Sequence, residues 1–297
     1  MILGPTAVGK SGLAVKLAGR FHGEIINGDS MQVYRGFNIG TAKPTVAERA
    51  GIPHHLLDFV DPASQFCAMD FVKETLRVLD DLRARQALPF VVGGSGLYLK
   101  ALLDGLFPGP GRDPEVRHKL AVEAAEKGLL SLWQRLERVD PDYARKIGPN
   151  DRLRIIRALE VYELSGLTMS AQFGRTFGFL KDFHILRIGL QLERMELTRR
   201  LEERVDRMFE QGLEAEVESL LAQGVSEDAP PFRALGYKHV LMHLHHRISL
   251  DDAKALTKQD TRQYAKRQMT WFRKMSEVCW FAPSDFESVA ALIEENL

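Results

Sequence analysis

The sequence contains few of the features that mark a special environment. It has two cysteines, Cys67 and Cys279, which are far apart and lack C-x-x-C spacing. A disulfide framework and a cysteine zinc site are therefore excluded. Neither sign of charge is in excess, because 40 Lys and Arg balance 40 Asp and Glu. Any binding to nucleic acid must therefore come from local clusters of charge.

Long apolar runs are also missing. The most apolar stretch, "LPFVVGGSGLYLKALLDGLF", is interrupted by glycines, Lys100 and Asp104. No charged-then-apolar segment at the N-terminus resembles a signal peptide. With 297 residues, 45% of them hydrophobic, the chain can form one large domain or one domain with a smaller companion. We expect a cytoplasmic protein with no membrane partner.

Short apolar runs alternate with helical patterns in the first third of the chain. "GEIINGDS" and "ALPFVVGGSG" are typical of buried strands that end in turn residues, whereas 12–20 and 70–85 have helical periodicity. This alternation predicts an α/β fold in which helices flank a parallel sheet. Only three residues precede Gly4, so either the first strand is unusually short or the sequence is trimmed at its start.

A break dense in Pro and Gly, "FPGPGRDPE", interrupts this alternation. After it, Asp113 and Pro114 form a helix start, and only helical signals follow as far as about Phe173. Strand character returns in "HILRIGL", and amphipathic helices are predicted over 193–211 and from Ser249 towards Met275. The pattern predicts an all-helical domain at 112–183 inserted into a core formed by 1–111 and 184–297.

The stretch from Gly4 to Ser11 reads G-x-x-x-x-G-K-S. Its glycines permit a tight turn with inward N–H groups, Lys10 adds positive charge, and Ser11 can ligate Mg²⁺. The pattern therefore predicts a cradle for phosphates. A nucleotide hydrolase would also need a strand ending in a magnesium-holding Asp, but "PFVV" ends in two glycines.

Asp29 is the acid that does end a predicted strand, in "IINGDSMQVY". In a parallel sheet it faces the same crevice as the phosphate loop, where it can accept a proton from a group attacking a bound phosphate ester. The alternative is that its side chain caps the following turn. We interpret Asp58 and Asp61 as turn formers.

Two basic clusters need a partner or a structural explanation. In the helix beginning "DRLRIIR", Arg152 and Arg154 lie in the first turn, where the helix dipole disfavours positive charge, and Arg157 shares a face with Arg154. "TRQYAKRQMTWFRK" has five basic and no acidic residues, with Tyr264 and Trp271 interleaved. The first cluster suggests an anionic partner, or else solvated arginines paired with nearby acids. The second suits single-stranded nucleic acid, or else an ordinary amphipathic helix that buries its aromatic residues.

Seven stretches occur in a characteristic order: "GPTAVGKS", "GDSMQVYRGFNIGTAKP", "HHLLD", "VVGGSGLYLKALLDG", "RALEVYELSGLTMS", "RALGYKHV" and "TRQYAKRQMTWFR". Together they resemble the tRNA dimethylallyltransferase family, from the first residues to about Arg273. The resemblance implies that the phosphate loop holds the diphosphate of dimethylallyl diphosphate. It implies transfer of the dimethylallyl group to N6 of the adenosine immediately 3′ of the anticodon, in tRNAs that read codons beginning with U.

The resemblance also implies roles for individual residues. The diphosphate-binding residues are Gly4, Pro5, Thr6, Ala7, Val8, Gly9, Lys10 and Ser11. Asp29 matches the catalytic base, with Lys10 and Ser11 as further catalytic residues and Mg²⁺ at Ser11. The tRNA-binding residues are Asp29, Ser30, Met31, Gln32, Ser95, Arg117, Leu153, Arg154, Ile155, Ile156, Arg157, Arg233, Ala234, Leu235, Gly236, Tyr237, Lys238, Lys266, Arg267, Gln268, Met269, Thr270, Trp271, Phe272 and Arg273.

The likeness carries further expectations. The helical domain would clasp the anticodon stem-loop, Gln32 would meet the edge of the target adenine, and the protein would act as a monomer of the bacterial type. Arg200 and Arg204 are additional candidates for contact with the diphosphate. Ser95 stands where the family more often has Thr, and Gly28 stands where a small or β-branched residue is commoner.

Three other functions compete with this one. A phosphate-loop small-molecule kinase would consume ATP and leave the helical insertion without a task. An adenylate isopentenyltransferase would need neither the insertion nor the basic "QYAKRQMTWFRK" helix. A tRNA-binding protein without catalysis would have no use for Lys10, Ser11 and Asp29. No metal is expected at "MHLHHR", which lacks a carboxylate or cysteine at ligand spacing.

Overall fold

The computed structural model describes residues 1–107, 109–173, 176 and 178–297. They divide into two compact units, one formed by Met1–Lys100 with Asp182–Leu297 and one by Ala101–Lys181. The first contains the sheet, and in the described residues the second has helices and no strand. The helical unit begins before the Pro- and Gly-rich break that sequence composition suggested as its start, because Phe107 packs against its core.

Among the described residues, six short strands form one parallel sheet, which confirms the predicted α/β class. The strands are β1 (Ile2–Leu3), β2 (Glu24–Asn27), β3 (His54–His55), β4 (Pro89–Gly93), β5 (Arg187–Leu190) and β6 (Val278–Phe281). Their spatial order is β3-β2-β4-β1-β5-β6. The two edge strands, β3 and β6, were not predicted from the sequence: β3 consists of two histidines, and β6 is an apolar run of only four residues that is partly exposed.

Fourteen α-helices are assigned within the described residues. Those before the helical unit are α1 (Lys10–Arg20), α2 (Val46–Arg49), α3 (Ala68–Ala84) and α4 (Gly96–Asp104), the last of which extends into it. The helical unit continues with α5 (Pro114–Lys127), α6 (Leu129–Val139), α7 (Pro141–Lys146), α8 (Arg152–Ser165) and α9 (Met169–Phe173). After β5 come α10 (Arg194–Glu210), α11 (Leu213–Ala222), a 3-10 helix (Pro230–Arg233), α12 (Tyr237–Leu244), α13 (Leu250–Phe272) and α14 (Phe286–Glu294).

Local chemistry explains where several helices begin. The Asp113 carboxylate caps α5 by accepting from the backbone N–H groups of Glu115 and Val116, with Pro114 at the first helical position. Ser249 and Asp252 form the predicted capping box of α13. In the described part of the chain no helix combines the length and apolarity needed to cross a membrane.

The core of the sheet unit forms around the shortest central strand. Ile2 and Leu3 are fully buried, and β1 pairs with β4 on one side and β5 on the other. Strand β1 has two residues. Apolar residues from α1 and α14 cover the sheet here; they are Leu13, Ala14, Leu17, Val289, Ala290 and Ile293. Burial of such side chains stabilises the fold by roughly 1.5–3 kcal/mol each for the larger ones.

The carboxyl ends of β1, β4 and β2 lie side by side, so the loops that follow them border one crevice. The close approach of β2 and β4 requires glycine at this edge. A Cβ on Gly93 would lie 2.1 Å from the carbonyl oxygen of Gly28, which is a backbone atom that cannot rotate away. The Gly28 N–H also donates to the Val92 carbonyl at 2.7 Å. Glycines therefore hold Asp29 close to the phosphate loop.

Substituting Gly93→Ala is expected to lower the free energy of unfolding by about 1–3 kcal/mol, because the added methyl overlaps backbone that cannot move independently. Gly19→Ala is the matched control, since a Cβ at this position of α1 would meet nothing within 4 Å. The control should be neutral or stabilise by up to about 1 kcal/mol. Urea unfolding of both variants measures the difference, and equal midpoints would contradict the close approach.

Candidate active site

The phosphate loop connects β1 to α1 and wraps around the side chain of Lys10. Ala7 and Gly9 have positive φ, 62° and 106°, so the loop turns sharply before the helix begins. The Lys10 ammonium donates to the carbonyl oxygens of Gly4, at 2.9 Å, and Pro5, at 2.7 Å. Ser11 follows in the first turn of α1 and is exposed. The N-terminus of α1 adds its dipole to this positive region.

Two cations lie against this loop. Burial lowers the pKa of Lys10 to about 7; Arg204 lowers it further, and Asp29 opposes the shift. Burial also lowers the pKa of Arg204, whose Nη1 donates to the Thr6 hydroxyl at 3.2 Å. Arg200 instead donates to Glu196 on its own helix, at 2.7 Å. The crevice is therefore built to receive an anion.

Asp29 lies in electrostatic range of Lys10 and Arg204, as its position after β2 predicted. Its Oδ1 also accepts from the Met31 N–H at 2.9 Å, so the turn-capping alternative is observed as well. The two findings are compatible, because a carboxylate has two oxygens and about four acceptor positions.

Asn27 fixes the turn that carries Asp29, and sequence reasoning did not identify it. This residue is 5% exposed. Its Nδ2 donates to the carbonyls of Leu56, at 2.9 Å, and Asp29, at 3.2 Å, while its Oδ1 accepts from the Asp29 N–H at 3.2 Å. The signal available in the sequence was a lone polar residue at the end of an apolar strand, which buries well only when hydrogen-bonded.

The residues after Asp29 are held by neighbouring loops. Ser95 Oγ accepts from the Ser30 N–H at 2.9 Å and donates to the Ser30 hydroxyl at 3.1 Å. Gln32 Nε2 donates to the carbonyls of Thr41 and Ala42, at 3.0 and 3.1 Å. Both amide hydrogens of Gln32 are thus engaged, and the side chain keeps its oxygen as an acceptor.

Asp58 and Asp61 are in turns, as interpreted from the sequence. Asp61 Oδ1 accepts from the Ala63 N–H at 2.9 Å. Asp58 has the further role of pairing with the buried ammonium of Lys43, which also donates to the Tyr34 carbonyl at 2.6 Å. This pair secures the long segment that carries Gln32.

Helix α13 has one face in the crevice and one in solvent. Of the predicted tRNA-binding stretch, Lys266, Arg267, Thr270 and Arg273 are exposed, Met269 is half-buried and Trp271 is 36% exposed. Gln268 and Phe272 are buried instead, and the Gln268 amide is hydrogen-bonded to Thr6 and Gly94. Tyr264 lies in electrostatic range of Asp29, and burial raises the pKa of its hydroxyl.

The stretch from Arg233 to Lys238, also predicted to bind tRNA, likewise contains both exposed and buried residues. Arg233 is exposed, Ala234, Leu235 and Lys238 are half-buried, and Gly236 and Tyr237 are buried. The Tyr237 hydroxyl donates to Glu216 at 2.5 Å and accepts from the Gly40 N–H at 3.1 Å. Lys238 pairs with Asp260 on α13.

In the helical unit, a buried carboxylate that the sequence analysis missed organises two of the predicted arginines. Glu160 accepts from Arg117 Nε at 2.8 Å and from Arg157 Nη1 at 2.7 Å. Burial would raise the pKa of Glu160, but these hydrogen bonds hold it below its usual value. Arg157 also donates to the Pro110 carbonyl at 2.7 Å. Arg157 is therefore tied into the unit from which we expected it to reach RNA.

The first turn of α8 presents a different surface. Arg152 and Arg154 are exposed, and Leu153 between them is 81% exposed. Ile155 and Ile156, in the same predicted stretch, are buried in the core of the helical unit. The exposed basic residues of α8 therefore lie in the first turn of the helix.

Within the described residues no group of three or more His, Cys, Asp or Glu side chains could hold a metal ion. Two of the three histidines of "MHLHHR" have carboxylate partners; His243 pairs with Glu214 and His245 with Glu227. The phosphate loop fits Mg²⁺ differently, because an exposed Ser11 hydroxyl can ligate an ion whose other ligands are phosphate and water oxygens.

A phosphate loop near a carboxylate, at the carboxyl edge of a parallel sheet, is the arrangement of an α/β protein suited to hold a phosphorylated ligand beside a potential base. The profile of the family described as IPP transferase matches residues 32–275. The chain belongs to this family, which confirms the resemblance seen in its motifs.

Individual relatives agree over almost the whole chain. tRNA dimethylallyltransferase 2 of Geotalea uraniireducens is 50% identical over 291 residues, 97% of this chain and 94% of the relative. A full-length tRNA isopentenylpyrophosphate transferase from Bacillus halodurans has a TM-score of 0.72 and 40% identity, covering 99% of this chain and 93% of that chain. A eukaryotic dimethylallyltransferase acting on tRNA has a TM-score of 0.78 and 31% identity, covering 99% and 76%.

The lowered pKa of Lys10 predicts a pH dependence of anion binding. A diphosphate binds the charged ammonium, so above about pH 7 binding must take up a proton and affinity should fall by up to about tenfold per pH unit. Titration calorimetry with methyl diphosphate between about pH 7.5 and 9 tests this, because phosphate groups with a pKa near 6 are already ionised there. Lys10→Met should bind more weakly with no proton uptake. Equal slopes for both proteins would refute the role of Lys10.

Proposed function

We propose that this protein transfers the dimethylallyl group of dimethylallyl diphosphate to N6 of the adenosine immediately 3′ of the anticodon in tRNA, releasing diphosphate. The observation that carries the proposal is the electrostatic grouping of Asp29 with Lys10 and Arg204 at the phosphate loop. Relatives named tRNA dimethylallyltransferase and a neighbour acting on tRNA support it.

The phosphate loop stabilises the leaving group. As the bond between the prenyl carbon and oxygen breaks, negative charge grows on the diphosphate, where Lys10, Arg204 and the N-terminus of α1 are already placed. Mg²⁺ held at Ser11 would supply further neutralisation of the diphosphate charge. Because these groups are fixed before the reaction begins, little reorganisation is required when the charge develops.

Asp29 accepts the proton. The exocyclic amine of adenine is a poor nucleophile, since its lone pair is delocalised into the ring, so positioning and proton removal both matter. The nitrogen forms a bond to the prenyl carbon, that carbon loses diphosphate, and the proton moves to a carboxylate oxygen of Asp29. Asn27 keeps this carboxylate in place through the backbone of the turn.

Gln32 contributes recognition of the base. Its amide hydrogens are used by Thr41 and Ala42, so its oxygen is the group available to accept from the N6 amine of adenine. A base in a stacked loop must be turned out to reach a buried reaction centre. This acceptor favours a base that offers an exocyclic amine, as adenine does, over one that offers a carbonyl there.

The surfaces suited to RNA lie on both units. In the sheet unit they are the exposed residues Lys266, Arg267, Thr270 and Arg273 of α13, with Arg233. In the helical unit they are Arg152, Leu153 and Arg154. Basic side chains with aromatic or apolar neighbours suit the backbone and unstacked bases of an anticodon stem-loop. We expect the protein to act as a monomer in the cytoplasm on tRNAs reading codons that begin with U.

The direct test supplies radiolabelled dimethylallyl diphosphate, magnesium and either unmodified tRNA or AMP, and follows ATP hydrolysis in parallel. Label in tRNA alone supports the proposal. Label in AMP would instead identify an adenylate isopentenyltransferase, and ATP consumption without prenyl transfer would identify a kinase. A protein that binds tRNA and labels neither acceptor would be a binding protein without catalysis.

Asp29→Asn is expected to lower kcat by about 100- to 10,000-fold, because the variant keeps the turn-capping oxygen but cannot take the proton. Single-turnover transfer to tRNA measures this loss, and filter binding measures the affinity for tRNA, which should stay within about twofold of wild type. Weaker tRNA binding with unchanged transfer at saturation would show that Asp29 holds RNA instead.

Changing Arg152 and Arg154 together to Gln should weaken tRNA binding and reduce the slope of log affinity against log salt by about 1.4–1.8, for two phosphate contacts. The matched control is Arg145→Gln, an exposed arginine on α7 that pairs with Asp142. Equal slopes for the double variant and the control would return Arg152 and Arg154 to the solvated-surface alternative. Arg157 is unsuited to this test, since its loss would also disturb Glu160.

A further inference from the structure

Gln268 connects helix α13 to two loops of the crevice. Its side chain is 5% exposed, its Oε1 accepts from the Thr6 N–H at 2.8 Å, and its Nε2 donates to the Gly94 carbonyl at 2.8 Å. Thr6 belongs to the phosphate loop, and Gly94 directly follows β4. A Cβ on Gly94 would lie 2.4 Å from Nε2, so only glycine leaves room for the amide.

The same part of α13 faces solvent on its other side. Lys266, Arg267 and Thr270, within two residues of Gln268, are exposed. The Trp271 indole seats the helix against the start of α4, where a Cβ on Gly96 would lie 2.6 Å from its Cδ1 atom. Because a helical turn moves as a unit, a partner that fixes the outer face of α13 also fixes Gln268.

Thr6 is where this link meets the anion site. Its N–H is committed to Gln268 and its hydroxyl accepts from Arg204, so the amide of Gln268 and the guanidinium of Arg204 together set the direction of the first turn of the loop. Gln268 does not need to touch the diphosphate to affect its binding. It determines where the phosphate loop lies relative to α13.

We propose that Gln268 is a positioning residue that couples docking of RNA on the outer face of α13 to binding of diphosphate at the phosphate loop. The coupling rests on the function proposed above. RNA that holds α13 in place holds Thr6 in the arrangement that receives diphosphate. By linkage, diphosphate strengthens RNA binding by the same factor.

The test measures the Kd of inorganic diphosphate with magnesium, with and without unmodified anticodon stem-loop RNA. In wild type, RNA should lower this Kd by about fivefold or more. Gln268→Met should raise the Kd of diphosphate by about tenfold, because its hydrogen bonds are lost. In this variant RNA should no longer lower the Kd. Affinity for RNA alone should be unchanged. Gln263→Met, the same change at an exposed site on α13, should behave as wild type.

Gly94→Ala provides a second variant, because its methyl displaces the Gln268 amide without altering α13. In Gly94→Ala, too, RNA should no longer lower the Kd of diphosphate. This variant tests the coupling if Gln268→Met does not fold. A full gain from RNA in a folded variant, or no gain in wild type, would overturn the coupling. Wild-type transfer of label to tRNA is measured alongside. Its absence would refute the proposed function, whereas transfer with unaltered coupling in the variants would refute only the role of Gln268.

Discussion

The parallel pairing of the two-residue strand β1 between β4 and β5 is the constraint on which the crevice depends. Ile2 and Leu3 are fully buried, and the phosphate loop begins directly after them. A strand this short contributes few hydrogen bonds of its own, so its position is maintained by neighbours on both sides and by the helices that cover it. Because β1 lies between two paired strands, the phosphate loop that follows it begins at a fixed position.

The crevice contains two cations, Lys10 and Arg204, near one carboxylate, Asp29. Lys10 and Arg204 are both desolvated near Asp29, and the pKa of each is lowered by burial. Such an arrangement costs folding free energy in the empty protein, since burial disfavours charge. In the function proposed above, a diphosphate provides the missing negative charge. The same electrostatics would then account both for affinity for the substrate and for stabilisation of the leaving group.

Basic residues have two different tasks in this chain. Arg117 and Arg157 are organised by the buried carboxylate of Glu160, and their loss would disturb the helical unit. Arg152, Arg154, Lys266 and Arg267 are instead exposed, where they suit a polyanionic partner, although Arg154 also pairs with Asp151 at 3.3 Å. Sequence spacing could place these arginines on helices, but it could not distinguish the two groups, because the distinction lies in the burial of Glu160, which also joins Arg157 on the same helix to the distant Arg117.

The sequence by itself determined the α/β class, the phosphate loop, the position of Asp29 at a strand end and the family. These follow from local patterns: glycines at turn spacing, apolar runs of strand length and capping residues at helix starts. Only the tertiary structure decided that Gln268 faces the phosphate loop and that Asn27 secures the turn of Asp29, and it also placed β3 and β6 at the sheet edges. Each of these depends on contacts between distant segments. A buried polar side chain must form hydrogen bonds, here to distant segments, and the sequence pattern does not show which polar residues are buried.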